Sequence, residues 1–236
     1  MADASPSTHA GMAAAPVAPE PIAPGPEVLV IAAHPQLEHS RINRRLMRAA
    51  AQGVGSGSAT GAASIQVRDL YALYPDYLID VAAEQAALLS ARLIVWQHPI
   101  HWYSMPPLMK LWVDEVLAFG WAYGPAGTAL KGKDLWLVAT TGGPEDSYRP
   151  DSYNRYFFDA FLPPYEQTAA LCGMRFLPPL LLHGAHRAAE AEVEAHAAVY
   201  AERLASHPHW PELDELLYGL ACAVPEDARP DESETH

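Results

Sequence analysis

The residue types able to do chemistry gather in three short stretches of the chain. HPQLEHS (34–40) carries His34, His39 and Ser40, and Arg41, Ile42 and Asn43 then open a run of helical spacing. A helix start offers free N–H groups and the positive end of a dipole, which suit a phosphate or another anion. Ser40 can cap that helix and can also donate to an anion, Asn43 adds an amide one turn in, and His34 and His39 are further donors. Taken alone, a plain N-cap beside exposed histidines is the simpler reading of this stretch. HPIHWYSMPPLMKLWVDEV (98–116) holds two histidines, two tryptophans, a tyrosine and two adjacent prolines where a strand must give way to a helix. Ile100, His101, Trp102 and Tyr103 can cover an apolar core edge, or they can form a wall against which a flat ring packs by offset stacking. Pro106 and Pro107 stiffen the corner and fix the helix start. The third stretch, TTGG from Thr140 to Gly143, lets backbone come close to a ligand and offers N–H groups to a polar ring edge. By itself a plain glycine turn is the better reading of this stretch.

The apolar pattern places all three stretches at strand ends. EVLVIAA (27–33), RLIVWQHP (92–99) and DLWLVATT (134–141) fit buried strands, and SIQVRDL (64–70) and FLPPLLLHG (176–184) supply two more. Helical spacing predicts helices over 40–53, around 81–91, over 105–119, over 154–173 with an interruption or kink at its prolines, and over 189–207. Strands separated by helices make βαβ units, so the fold class expected is α/β. Five strands with helices on both faces suit a flavodoxin-like three-layer sandwich with a parallel sheet of order 2-1-3-4-5. Such sheets bind ligands beyond the carboxyl ends of their strands, at the switch point between strands one and three, where the loops after Ala33, Gln97 and Thr141 meet. One pocket built from all three stretches is therefore expected, with a phosphate on the first, a ring against the second and its pyrimidine edge on the third. That is the description of a flavin mononucleotide site. Neither GxGxxG nor GxxxxGK[ST] occurs, and the Ser/Thr/Gly-rich phosphate loop of small flavodoxins is missing as well.

Composition narrows the function classes. With 236 residues the chain can build one sizeable domain. Its formal net charge of −13, from 28 acids against 15 bases, argues against nucleic acid as a partner and provides no polybasic anchor for a membrane. No apolar run approaches the roughly 20 residues of a membrane span. A soluble chain is expected, reaching a membrane only through a protein partner. Cys172 and Cys222 show no disulfide or metal-ligand pattern, which suits a reducing cytoplasm. Residues 1–26 read as a disordered Ala/Pro-rich tail without the features of a secretory signal, 27–210 as the flavin-binding domain, and 211–236 as an acidic extension, mostly disordered. Within that extension ELDELLYGLACAV has the pattern of one short helix. His183 and His186 lie close together but lack a third ligand, so no metal is expected. Asp80 reads as a helix cap.

AAHPQLEHSRINRRL, LYPDYLIDVAAEQAAL, IVWQHPIHWYSMPPLMKLWVDEVLAFGWAYG and TALKGKDLWLVATTGG resemble the flavodoxin-like NAD(P)H:quinone oxidoreductases, and among them the glutathione-regulated potassium-efflux ancillary proteins. The resemblance spans roughly residues 27–207. It implies a homodimer with FMN at the interface (FAD being the alternative), NAD(P)H as electron donor, and two-electron reduction of quinones or similar electrophiles in a ping-pong cycle. A potassium-efflux antiporter is the partner implied, with a regulatory subunit as the alternative function. His34, Ser40, Arg41, Ile42 and Asn43 would hold the phosphate end; Ile100, His101, Trp102 and Tyr103, with Thr140, Thr141, Gly142 and Gly143, would hold the ring. Larger relatives place a tyrosine and a histidine after TTGG to stabilise the reduced flavin. Tyr148 stands here at the tyrosine's position and is the catalytic candidate, whereas Asn154 stands at the histidine's. A surface-loop tyrosine without catalytic duty is the competing reading of Tyr148.

Overall fold

A computed structural model describes residues 27–52 and 64–216. The expectations for 1–26, for the Gly/Ser-rich turn at 55–63, and for the chain after Leu216, Cys222 included, lie outside those residues. Five parallel strands, β1 (Val28–Ala32), β2 (Ile65–Asp69), β3 (Leu93–Pro99), β4 (Asp134–Thr140) and β5 (Arg175–Leu182), form one sheet in the order β2-β1-β3-β4-β5. Every residue of β1, β3 and β4 is buried, which is why these strands read as unbroken apolar runs rather than alternating ones. β5 is an edge strand and carries Pro178 and Pro179, which an edge tolerates because one side of its ladder is unpaired.

Helices cover both faces. On one, α1 (Arg41–Gln52) and α6 (Glu190–Ser206) bury Ile42, Leu46, Val193, Tyr200 and Leu204 against Val28, Val30, Val95 and Val138. On the other, α2 (Leu70–Leu73), α3 (Val81–Ser90), α4 (Pro107–Val116) and α5 (Pro163–Leu171) pack around Trp96, Trp112 and Tyr165. Asp80 caps α3, its carboxylate accepting from the Ala83 N–H at 3.0 Å. α2 follows β2 without a loop and has no counterpart among the predicted helices. The predicted helix over 154–173 is corrected. Its first part is irregular, with Arg155 at φ 63°, then a 3-10 turn at Phe158–Phe161, and α5 starts at Pro163. The prolines begin a helix instead of kinking one, because a missing N–H does no harm in a first turn. Packing also continues past the expected boundary at 210. Trp210 and Leu213 are buried on the α1/α6 face, and Arg175 donates to the Leu213 carbonyl at 2.8 Å. Among the described residues no helix is long and apolar enough to cross a membrane.

Two buried acids hold the layers together and both are fully partnered, as burial of charge requires. Glu84 accepts from Arg68, Tyr74 and the Trp112 indole, which joins α3 to β2 and α4. Asp134 accepts from both arms of the Arg175 fork, at 2.8 and 3.0 Å, and pairs with His207 at 2.8 Å.

His98 on β3 has no solvent exposure and stacks on Tyr165 at 5.8 Å. Its Nδ1 faces the Pro99 carbonyl at 3.0 Å, so the proton sits on Nδ1. Burial holds its pKa down to about 4 from an ordinary 6.5. Between those values the unfolded chain binds the proton and the folded one does not, so stability must fall as the pH drops through that window. Urea unfolding should show a loss of about 3 kcal/mol from this group between neutral pH and pH 4. His98→Gln, which keeps a donor for Pro99 but cannot titrate, should flatten that acid limb. An unchanged limb would mean that other groups set it.

Candidate functional site

The crevice between β1 and β3 opens where their connections leave for opposite faces of the sheet. After β1 the chain makes a 3-10 turn at Leu37–His39 and enters α1. The Ser40 hydroxyl accepts from the Asn43 N–H at 3.1 Å, so Ser40 is an N-cap and the remaining first-turn N–H groups point outward. Asn43 is buried, and its Nδ2 donates to Thr140 Oγ1 at 3.0 Å, tying α1 to the end of β4. Its Oδ1 is buried with no partner. Gln97, only 1% exposed, sits behind this turn. Its Nε2 donates to the Asn43 carbonyl at 3.2 Å and its Oε1 accepts from the Tyr200 hydroxyl at 3.0 Å, pinning α1 to β3 and α6.

In front of that pin lies a cleft of about 500 Å³. Of the expected residues, His34, Ser40, Arg41, Ile42, Asn43, Ile100, His101, Thr140, Thr141 and Gly142 line it; Trp102, Tyr103, Gly143 and Tyr148 do not. His34 Nδ1 accepts from the Gln36 N–H at 3.1 Å, which leaves its proton on Nε2. Burial, with His101 adding to it, lowers the His34 pKa and favours this neutral form. The Arg41 guanidinium is turned away to the Ala188 carbonyl and to Glu190 (3.3 Å), so Arg41 offers the cleft its backbone rather than a free fork. His186 and Ala185, from the loop after β5, complete the wall together with Gln36, His39 and Pro99. In the sequence His186 stands out only as a possible metal ligand beside His183. The switch-point rule selects the loops after β1, β3 and β4, so the β5 loop escaped it. The signal available was a histidine just past a strand's carboxyl end.

The aromatic stretch forms a projecting turn. His101 and Ser104 exchange N–H···O bonds at 2.9 and 3.0 Å, with Trp102 at φ 47° and Tyr103 at φ 65° between them. Positive φ at both central positions marks a type I′ turn, which normally takes Asn or Gly and costs bulky residues about 1–2 kcal/mol each. Trp102 is 92% exposed. Tyr103 leans back, stacks on Phe161 at 5.0 Å and donates to Asn154 Oδ1 at 3.3 Å. Asn154 donates to Ser147 Oγ at 2.8 Å, which in turn donates to the Pro144 carbonyl at 2.6 Å. Asn154, at the position where the resemblance has a histidine, is thus a strut between the second and third loops.

In the third loop, a Cβ on Gly143 would lie 2.8 Å from Ser147 Oγ and 3.0 Å from the Tyr153 hydroxyl, so any side chain there must displace one of them. Gly142 faces the cleft, with His186 Nε2 3.4 Å from where its Cβ would be. The Gly142 and Gly143 N–H groups have no partner among the described residues. Tyr148 is buried rather than on a surface loop, edge-on to Phe158 at 5.3 Å. It lines a second cleft of about 800 Å³ with Arg149, Phe158 and His183. Burial raises the pKa of its phenol, and the Thr141 side chain beside it pulls the other way. Thr141 and Gly142 line the first cleft and Pro144 the second, so the chain of the third loop runs from one to the other.

Replacing Gln97 with Met keeps volume but strips the Asn43 carbonyl and the Tyr200 hydroxyl of their partner. Urea unfolding of Gln97→Met should show a loss of about 2 kcal/mol. A loss within experimental error would mean that the pin is not needed to hold α1.

The chain matches a family model described as flavodoxin-like fold over residues 26–204. It is 46% identical over 177 residues to the glutathione-regulated potassium-efflux system ancillary protein KefF of Citrobacter koseri, an alignment covering 75% of this chain and 94% of that protein. Among solved structures, general stress protein 14 of Treponema denticola, in complex with FMN, superposes with a TM-score of 0.68 at 39% identity, covering 76% of this chain and 98% of that one. A putative quinone reductase from Klebsiella pneumoniae superposes with a TM-score of 0.65 at 27% identity, covering 78% and 86%. The chain belongs to the flavodoxin-like family, close to the potassium-efflux ancillary proteins.

Proposed function

We propose that the first cleft holds FMN and that the chain is an NAD(P)H:quinone oxidoreductase. The observation that carries this reading is the convergence of the three loops on one crevice, with the first-turn amides of α1 facing it and the buried Asn43 oxygen left unpaired. The residues present fit the group. The α1 start with Ser40 and His34 suits a phosphate. Asn43 Oδ1 is an acceptor for a ligand hydroxyl, and Ile100 with His101 makes a side wall. The unpaired Gly142 and Gly143 amides suit the polar edge of a ring that becomes more negative on reduction. A cleft of about 500 Å³ lies in the range of small-molecule sites. Bound there, the flavin would supply two-electron transfer from NAD(P)H to a quinone in two separate half-reactions, a ping-pong cycle. The protein binds, orients and excludes water; it needs no nucleotide-binding motif of its own for the donor.

The strained Trp102 turn belongs to the same reading. Trp102, Tyr153, Tyr156 and Phe157 are all exposed, and such a patch suits a second copy of the chain across the cleft mouth. A homodimer would turn Trp102 into cofactor wall. A regulatory role is the second reading and rests on the potassium-efflux relatives, which the alignment covers over 94% of their length. The two roles are compatible on one fold.

Purified protein should be yellow or take up added FMN, and should bleach with NADH or NADPH and recover its colour on adding a soluble quinone. Colourless protein that takes up no FMN would leave the regulatory reading. Gly142→Val should weaken FMN binding at least tenfold, since its side chain enters the cleft. Trp102→Ala should weaken FMN binding and self-association together, as read by flavin fluorescence and by sedimentation. Full affinity in either variant would move that loop out of the site.

A further inference from the structure

The reading above leaves a gap: the chain has Tyr148 behind the TTGG loop but Asn154, not an imidazole, at the companion position. An imidazole nevertheless reaches that loop from another element. Thr141, 1% exposed, lines the first cleft, and its hydroxyl donates to the Gly143 carbonyl at 2.7 Å. His183 Nδ1 lies 3.0 Å from the same oxygen. A hydroxyl has one proton, and the shorter contact takes it, so Nδ1 carries its own proton and donates to Thr141. The unprotonated Nε2 is left for the second cleft, which His183 also lines.

We propose, resting on the flavin reading, that His183 is a positioning residue for the reduction: through Thr141 it braces the TTGG loop from behind and brings a titratable imidazole within one hydrogen bond of it. Reduction by NAD(P)H leaves one extra negative charge in front of that loop. His183 Nε2 answers it by taking up one H⁺ from solvent through the second cleft, and returns that H⁺ to solvent when the quinone is reduced. The overall balance is quinone + NAD(P)H + H⁺ giving hydroquinone + NAD(P)⁺: a hydride, two electrons and one proton, leaves the nicotinamide, and the second proton is the H⁺ drawn from solvent. The groups facing His183 suit a reversible change of charge. Tyr148 lies at 5.4 Å and Phe158 at 5.1 Å between ring centres, giving it an aromatic bed. Glu145, Asp146, Arg149 and Asp159 line the same cleft, three acids against one base. Burial lowers the His183 pKa, which favours the neutral ring, while Glu145 opposes it.

Two variants separate bracing from titration. His183→Asn keeps an N–H near the Nδ1 position but cannot titrate, and His183→Ala loses both. Nitrogen-detected NMR of the flavin-free protein should find His183 protonated on Nδ1. FMN should bind His183→Asn within about threefold of wild type, and His183→Ala at least tenfold more weakly. In wild type the midpoint potential of the bound flavin plotted against pH should break at the His183 titration, and His183→Asn should lose the break. A proton on Nε2 instead of Nδ1, a break that survives in His183→Asn, or wild-type affinity in His183→Ala would overturn the inference. Failure of the wild type to take up FMN is a separate result that overturns the cofactor reading, and this role with it.

Discussion

Gln97 reaches from β3 to the first turn of α1 and takes the Tyr200 hydroxyl from α6, so three elements meet on one buried side chain directly behind the cleft. The constraint it answers is topological. The connection after β1 runs to one face of the sheet and that after β3 to the other, so no helix crosses the crevice between them and no apolar plug can fill it. The crevice is held instead by polar pins of fixed length: Gln97 to Asn43, Asn43 to Thr140, Ser40 to the helix start. Each is short and directional, so together they fix where the α1 amides point. An apolar contact of the same energy would permit sliding.

The price of such a site shows in the loops around it. Two adjacent aromatic residues sit at positive φ, a buried amide oxygen lacks a partner, and a glycine is boxed in by side chains. Each breaks a common local rule, and all three sit in the connections that follow β1, β3 and β4. The core, by contrast, pairs its buried acids fully. These three departures sit where a ligand or a second chain can relieve them.

The sheet was legible because its central strands are buried on both faces and leave unbroken apolar runs, and because strand order follows from the parallel winding. The cleft was legible to the same extent, since three of its four walls follow strands whose ends the fold brings together. What escaped had physical reasons. His186 comes from the edge-strand loop, which the switch-point rule passes over. Pro163 and Pro164 signal equally a break inside a helix or the start of one. Trp102 carries the chemistry of a wall, but its pairing partner His101–Ser104 makes a turn, and no apolar pattern announces positive φ at a tryptophan. Tyr148 reads as a loop residue because its burial depends on Phe158 and Phe161, which lie within the stretch 154–173 that the sequence presents as a helix.

The claim on which the rest stands is that the start of α1 receives the phosphate of a flavin. Titrating the purified protein with FMN and with riboflavin, which lacks only the phosphate, tests it directly through quenching of flavin fluorescence. The account predicts one FMN per chain, bound at least tenfold more tightly than riboflavin, with the preference weakened by added inorganic phosphate. Equal affinities for the two, or no binding of either, would contradict it.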